Sequence, residues 1–162
     1  MNGSSLLVRV ADALTACRLE AVLIGNAAAA LQGAPVTTVD VDFMFRKTPA
    51  NMTKLKAFAR DLNAVILRPY YPASSLFRVV NDDQGLQVDF MEAIHGVRSF
   101  ASLRARAQAL NVEGRELWVA SLRDIIASKK AAKRPRDLAV LDLLETTLRE
   151  KEKIQANKTP RP

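Results

Sequence analysis

The spacing of apolar residues changes along this chain and divides it into helices and strands. Stretches with apolar residues three or four positions apart predict helices, and these cover residues 4–17, 26–31, 50–62, 100–107, 121–131 and 135–150. Short apolar or alternating runs predict strands, over residues 21–24, 39–45, 64–67, 75–80, 86–91, 109–112 and 116–119. This order predicts an α/β fold in which helices flank a mixed sheet, with a small C-terminal helical part.

The length of 162 residues predicts one domain, or one domain with a small helical annex. We expect an α/β core over 1–120, a helical pair over 121–150 that completes the site, and a disordered basic tail over 151–162. No apolar stretch is long enough to span a bilayer, and charged residues interrupt the first twenty positions. The single Cys17 excludes an internal disulfide framework and a cysteine zinc site. A cytoplasmic protein without a membrane partner is expected.

The net charge of +7 is unevenly distributed. Residues 1–90 hold 9 Lys/Arg and 8 Asp/Glu, whereas residues 91–162 hold 15 and 9. A basic surface of this kind attracts polyanions, either nucleic acid or a nucleoside triphosphate.

Two carboxylates, Asp40 and Asp42, lie two positions apart in an apolar run. On one strand face their Cβ atoms would be about 6.5 Å apart, and like charges at that distance favour a bound cation. Asp89 alternates with apolar residues in a second predicted strand. If the two strands are neighbours, three carboxylates converge and suit one or two Mg²⁺ ions. The alternative is a surface-facing pair on an edge strand, with Val39 among the inward residues.

Gly25 follows a buried strand and precedes a helix. Backbone N–H groups at such a junction bind phosphates readily. Gly25 alternatively serves only the tight turn, and Asn26 only caps the helix.

Lys129 continues the apolar stripe of its helix, so it either reaches the rim or faces an anion in a cleft. Asp137 lies near the start of the last helix, where it either joins a site or only stabilises the helix dipole. The basic run around Arg134 is otherwise a solvated linker. Tyr70 and Tyr71 either stack on a base or pack in a loop.

Together these motifs resemble the nucleotidyltransferase-fold superfamily, the polymerase-beta-like group. Within it, the chain is similar to abortive-infection-type nucleotidyltransferase toxins and their uncharacterised relatives, over about residues 20–145. The motifs are Gly25-Asn26, Thr38-x-Asp40-x-Asp42, and Lys129 with Arg134-Pro-Arg-Asp137.

The resemblance implies roles for these residues. Nucleotide binding falls on Gly25, Asn26, Thr38, Lys129 and Arg134, metal binding on Asp40, Asp42 and Asp89, and catalysis on Asp40, Asp42, Asp89, Lys129 and Asp137. Asn26 stands where the family commonly has Gly or Ser, and its bulk restricts the approach of the backbone to phosphates.

The expected function is Mg²⁺-dependent transfer of a nucleoside monophosphate from an NTP to a hydroxyl of RNA, such as a tRNA end, or of a protein. The resemblance to the toxins also implies a toxin–antitoxin role, with a cognate toxin or antitoxin protein as partner. The alternatives are a catalytically weak nucleotide-binding or antitoxin-like protein of the same fold, and a basic nucleic-acid-binding domain.

Overall fold

The computed structural model describes residues 3–68 and 76–158. Tyr70, Tyr71 and the last four residues of the predicted tail lie outside this part. The helices are α1 (Gly3–Cys17), α2 (Gly25–Leu31), α3 (Pro49–Asp61), α4 (Phe100–Arg106), α5 (Leu122–Ala132) and α6 (Pro135–Lys158). The strands are β1 (Ala21–Ile24), β2 (Val41–Phe45), β3 (Val65–Leu67), β4 (Leu76–Asn81), β5 (Leu86–Met91), β6 (Gln108–Val112) and β7 (Arg115–Val119).

The described strands form a single seven-stranded sheet in the order β3-β4-β5-β2-β1-β7-β6. β2 pairs with β5 in parallel and β1 pairs with β7 in parallel, while the other neighbours are antiparallel. The predicted mixed sheet with flanking helices is therefore confirmed. The pairing places β2, which carries Asp42, between β1 and the strand that carries Asp89.

One face of the sheet is an aromatic core. Phe43 stacks on Phe90 with ring centroids 5.3 Å apart, and Phe58 of α3 meets the Phe90 ring edge-on at 5.1 Å. Phe45 and Phe77 complete the group. Because side chains alternate along a strand, the residues between these apolar ones point to the opposite face. That opposite face carries the polar residues of the site.

Helices α2, α5 and α6 pack next to one another, because α5 contacts both of the others. Pro135 starts α6 two residues after α5 ends at its C-cap, Lys133 (φ 55°). This sharp reversal brings the start of α6 back alongside α5. No helix in the described ranges is long and apolar enough to cross a membrane.

Two element boundaries differ from the predictions. β2 begins at Val41, so Asp40 precedes the strand, and Val39 is 91% exposed rather than turned inward. The backbone N–H of Asp40 donates to Oγ1 of Thr38 (3.0 Å), a local turn that takes the place of strand pairing. The tail predicted to be disordered from Lys151 is helical as far as Lys158. Its residues are exposed, so local helix propensity and not packing accounts for it.

Candidate active site

A single row of side chains crosses four strands on the polar face of the sheet. Ile24 of β1 lies opposite Asp42, Asp42 lies opposite Asp89 of β5, and Asp89 lies opposite Arg78 of β4. Residues directly opposite each other on adjacent strands share a face. The structure therefore brings together two carboxylates that are distant in sequence, as predicted, and adds an arginine that sequence analysis missed.

Arg78 makes a bidentate ion pair with Asp89. Its Nε donates to Oδ1 (2.9 Å) and its Nη2 donates to Oδ2 (3.2 Å). Asp89 is buried, with 8% of its surface exposed, whereas 40% of the Arg78 side chain is exposed. Both carboxylate oxygens of Asp89 are thus satisfied by one guanidinium.

Among the described residues Asp42 has no such partner, and its pKa reflects this. The pKa of Asp42 rises from 3.8 to about 6. Burial is the largest cause, and the negative charges of Asp89 and Asp40 contribute the rest of the rise. Arg136 and Arg78 act in the opposite direction but do not cancel the rise. A half-buried carboxylate under repulsion from two others is the group that gains most from a bound cation.

Gly25 forms the turn between β1 and α2 at φ +71°, a conformation that side chains rarely adopt. A Cβ added there would lie 3.6 Å from Oδ2 of Asp42. Asn26, the next residue, is not among the described residues that line the cavity at this site, and its buried Oδ1 has no hydrogen-bond partner within the described part. The structure thus places Gly25, and not Asn26, against the carboxylates.

The predicted Lys129 and Asp137 are paired, at the junction of α5 and α6. Asp137 is 2% exposed and accepts from Lys129 Nζ (3.4 Å) and from Arg134 Nε (2.6 Å). Burial alone would raise the pKa of Asp137, but the hydrogen bond and charge of Arg134, with those of Lys129, outweigh it and lower the pKa. Asp137 therefore orients two cations that line the cavity, while Asp137 itself is not among the described lining residues.

A cavity of about 390 Å³ joins these parts. The sheet contributes Asp42, Arg78 and Asp89, the segment before β2 contributes Asp40, and the α5–α6 region contributes cations. These cations are Lys129, Arg134 and Arg136. Thr38, a predicted nucleotide-binding residue, is not among the described lining residues; its hydroxyl shapes the turn at Asp40.

Sequence analysis also missed Asp124, a buried acid that lines the same cavity. Arg106 donates to both of its oxygens at 2.9 Å, and Ser121 Oγ donates to Oδ2 at 3.1 Å. The Ser121-x-x-Asp124 spacing is a helix-capping pattern and was the available signal. Assigning the register of the predicted hairpin would have placed Arg78 opposite Asp89.

The predicted three-carboxylate metal cluster is only partly formed. Among the described residues, no three His, Cys, Asp or Glu side chains are arranged to hold a metal ion. Asp40 and Asp42 are available as oxygen ligands, whereas both oxygens of Asp89 accept from Arg78. A pair of carboxylates fits a hard divalent cation that takes its remaining ligands from water or phosphate.

A mixed sheet with acidic residues on its central strands, a glycine turn after the first strand and a cationic helix junction that lines the same cavity agree with the nucleotidyltransferase resemblance. The chain belongs to the family "Nucleotidyl transferase of unknown function (DUF2204)", whose model matches residues 4–160. The predicted superfamily is therefore confirmed. No curated protein matches the chain.

Several solved structures share the fold. The crystal structure of ANT(2'')-Ia with adenylyl-2''-tobramycin has a TM-score of 0.62 and 19% identity, over 93% of this chain and 92% of that one. The lincosamide antibiotic adenylyltransferase LnuA, with lincomycin bound, has a TM-score of 0.64 and 13% identity, over 88% of this chain and 96% of that one. A candidate nucleotidyltransferase from Thermotoga maritima has a TM-score of 0.56 and 17% identity, over 96% of this chain and 92% of that one.

Proposed function

We propose that the protein transfers a nucleoside monophosphate from an NTP to an acceptor hydroxyl and releases pyrophosphate, with Mg²⁺ held by Asp40 and Asp42. The observation that carries the proposal is the arrangement of charge in one cavity. The sheet and the segment before β2 supply the acidic part of the lining, which is Asp40, Asp42 and Asp89, and the α5–α6 region supplies Lys129, Arg134 and Arg136. A triphosphate with its bound cation has the complementary arrangement of charge.

The cationic side suits the triphosphate. Asp137, which is buried, holds Lys129 and Arg134 in place by hydrogen bonds, and this limits their loss of side-chain entropy on binding phosphate. Gly25 lines the same cavity and has no side chain to obstruct a phosphate next to Asp42. These residues bind and orient the nucleotide in the proposal.

The acidic side suits the cation. A divalent ion would relieve the repulsion that raises the pKa of Asp42. When bound, such an ion neutralises developing phosphate charge and lowers the pKa of a coordinated hydroxyl. Asp89, next to Asp42 in register, is the proposed acceptor of the proton from the hydroxyl.

The acceptor belongs to one of two classes. The resemblance described above favours an RNA or protein hydroxyl, together with a toxin–antitoxin role. Ion pairs weaken the electrostatic argument for RNA, because Lys130 pairs with Glu145 and Arg123 pairs with Glu152 on the α5–α6 surface. A small hydroxyl-bearing molecule is the second candidate. It is favoured by the match to two antibiotic-modifying enzymes over at least 92% of their length.

The test is pyrophosphate release from each NTP with and without Mg²⁺, against a tRNA pool and against aminoglycoside and lincosamide alcohols. We expect one NTP and one acceptor class to support release, and the Asp40→Ala/Asp42→Ala variant to abolish it. Asp83→Ala, an exposed acid on the turn between β4 and β5, is the matched control and should retain full activity.

The alternatives give different results. A catalytically weak nucleotide-binding protein would bind an NTP with Mg²⁺ in calorimetry but release no pyrophosphate with any acceptor. A basic nucleic-acid-binding domain would bind RNA equally well, or more tightly, after Asp40→Ala, because a repelling charge has been removed. Either result would reject the proposed transfer reaction.

A further inference from the structure

The carboxylate of Asp89 is engaged on both oxygens by Arg78, which no predicted role required. The Nε–Oδ1 and Nη2–Oδ2 distances of 2.9 and 3.2 Å form the parallel, two-point pairing that gives arginine its strength with carboxylates. Asp42, one strand away, has no such partner among the described residues. Of the two neighbouring carboxylates, Asp89 is therefore neutralised by an ion pair and Asp42 is not.

The sheet itself maintains this difference. Arg78 and Asp89 are direct cross-strand partners in the antiparallel β4–β5 pair, and Asp89 and Asp42 are partners in the parallel β5–β2 pair. Side chains of such partners are held about 5 Å apart at Cβ. Arg78 thus pairs with Asp89 because of backbone register, without depending on a flexible loop.

We propose that Arg78 is a positioning residue that withholds Asp89 from the divalent cation, so that the ion binds to Asp40 and Asp42 and binds only weakly before the nucleotide arrives. This inference rests on the proposed function for the existence of the cation site. For Asp89 to ligate the ion, it would have to give up charge-assisted hydrogen bonds. The freed guanidinium would also lie close to a divalent charge of the same sign. Arg78 thereby keeps the Asp89 carboxylate oriented next to Asp42.

The test measures metal binding without nucleotide, using Mn²⁺ as the probe in calorimetry. Arg78→Met removes the guanidinium but keeps an apolar stem, and it frees Asp89 as a third ligand. We expect Mn²⁺ to bind about tenfold more tightly, which equals in size, with the opposite sign, the smallest loss that mutation of an outer-shell partner typically causes. The matched control is Arg136→Met, which removes an equal charge that does not touch Asp89.

This control separates a new ligand from a loss of positive charge. Arg136 lowers the pKa of Asp42 more than Arg78 does, so a through-space effect alone would make Arg136→Met at least as favourable to Mn²⁺. We expect Arg78→Met to have the larger effect, and Arg78→Met/Asp89→Asn to return to wild-type affinity. An equal effect of the two arginine variants, or a gain that survives in the double variant, would overturn the proposal.

Folding is checked by circular dichroism, since Arg78→Met leaves a buried carboxylate unpaired. The double variant has no such charge, and Arg78→Lys keeps a cation that cannot pair with both oxygens in the same fork. We expect Arg78→Lys to increase Mn²⁺ affinity by less than Arg78→Met, and no increase in Arg78→Lys would contradict the proposal. Because NTP is absent, a gain in Arg78→Met supports the inference even if pyrophosphate release is never observed.

Discussion

Replacing Asp42 by Asn tests whether the metal-free site is electrostatically strained. Burial and the neighbouring Asp89 and Asp40 raise the pKa of Asp42 to about 6. A carboxylate with a raised pKa in the folded state opposes folding when it is ionised. Its unfavourable contribution is absent below the unfolded pKa, grows as the pH rises from the unfolded to the folded pKa, and is complete above the folded pKa. Asn keeps the size of the side chain and removes the charge.

The expected magnitude follows from the two pKa values. A rise from 3.8 to about 6 corresponds to about 3 kcal/mol, since each pKa unit is worth about 1.4 kcal/mol. Asp42 keeps partial contact with solvent, which reduces this to about 2 kcal/mol. We therefore expect Asp42→Asn to be about 2 kcal/mol more stable than the wild type at pH 8 and nearly equal to it at pH 4.

The assay is urea unfolding followed by circular dichroism at pH 4, 6 and 8, in EDTA. Asp40→Asn is the control, and its effect should be smaller because Asp40 is exposed and ranks below burial and Asp89 among the causes. Adding Mg²⁺ at pH 8 should stabilise the wild type and leave Asp42→Asn nearly unchanged. A variant no more stable than the wild type at pH 8, or a stability difference independent of pH, would show that the ionised Asp42 does not destabilise the fold.

Two further variants examine the rest of the site. Gly25→Ala should lose about 1 kcal/mol of stability, because Gly25 has a positive φ. Gly85→Ala is the control and should lose a similar amount, since Gly85 has φ 62° and no atom lies within 4 Å of the added Cβ. Only Gly25→Ala should weaken NTP binding in calorimetry, and equal binding by both variants would exclude Gly25 from the phosphate site. Asp137→Asn leaves Lys129 without its buried counter-charge and should lower the free energy of unfolding by about 3 kcal/mol at pH 7. The loss should shrink as the pH falls, because the lowered pKa of Asp137 stabilises the fold only while it is ionised; a loss that is constant with pH would contradict the ion-pair explanation.

Much of the fold was predictable because its signals are local. The alternation around Phe43 and the helical spacing before Lys129 depend only on neighbouring residues, and the corresponding elements are present in the structure. The error at Asp40 came from another local signal, a hydrogen bond from its N–H to Thr38, which competes with strand pairing. The error at the tail, where α6 continues past Lys151, shows that polar composition does not exclude a helix.

The candidate residues of the site could be read from the sequence, since a carboxylate in an apolar strand or a lysine on an apolar helix stripe is costly without a partner. The identity of each partner depends on how the strands and helices pack. Asp89 lies 47 positions after Asp42, and the register of β2 against β5 makes them neighbours. A shift of one residue in either strand would turn one carboxylate to the aromatic face. The pairing of Arg78 with Asp89 depends on register in the same way, because register is set by packing over the whole sheet and leaves little trace in the residues themselves.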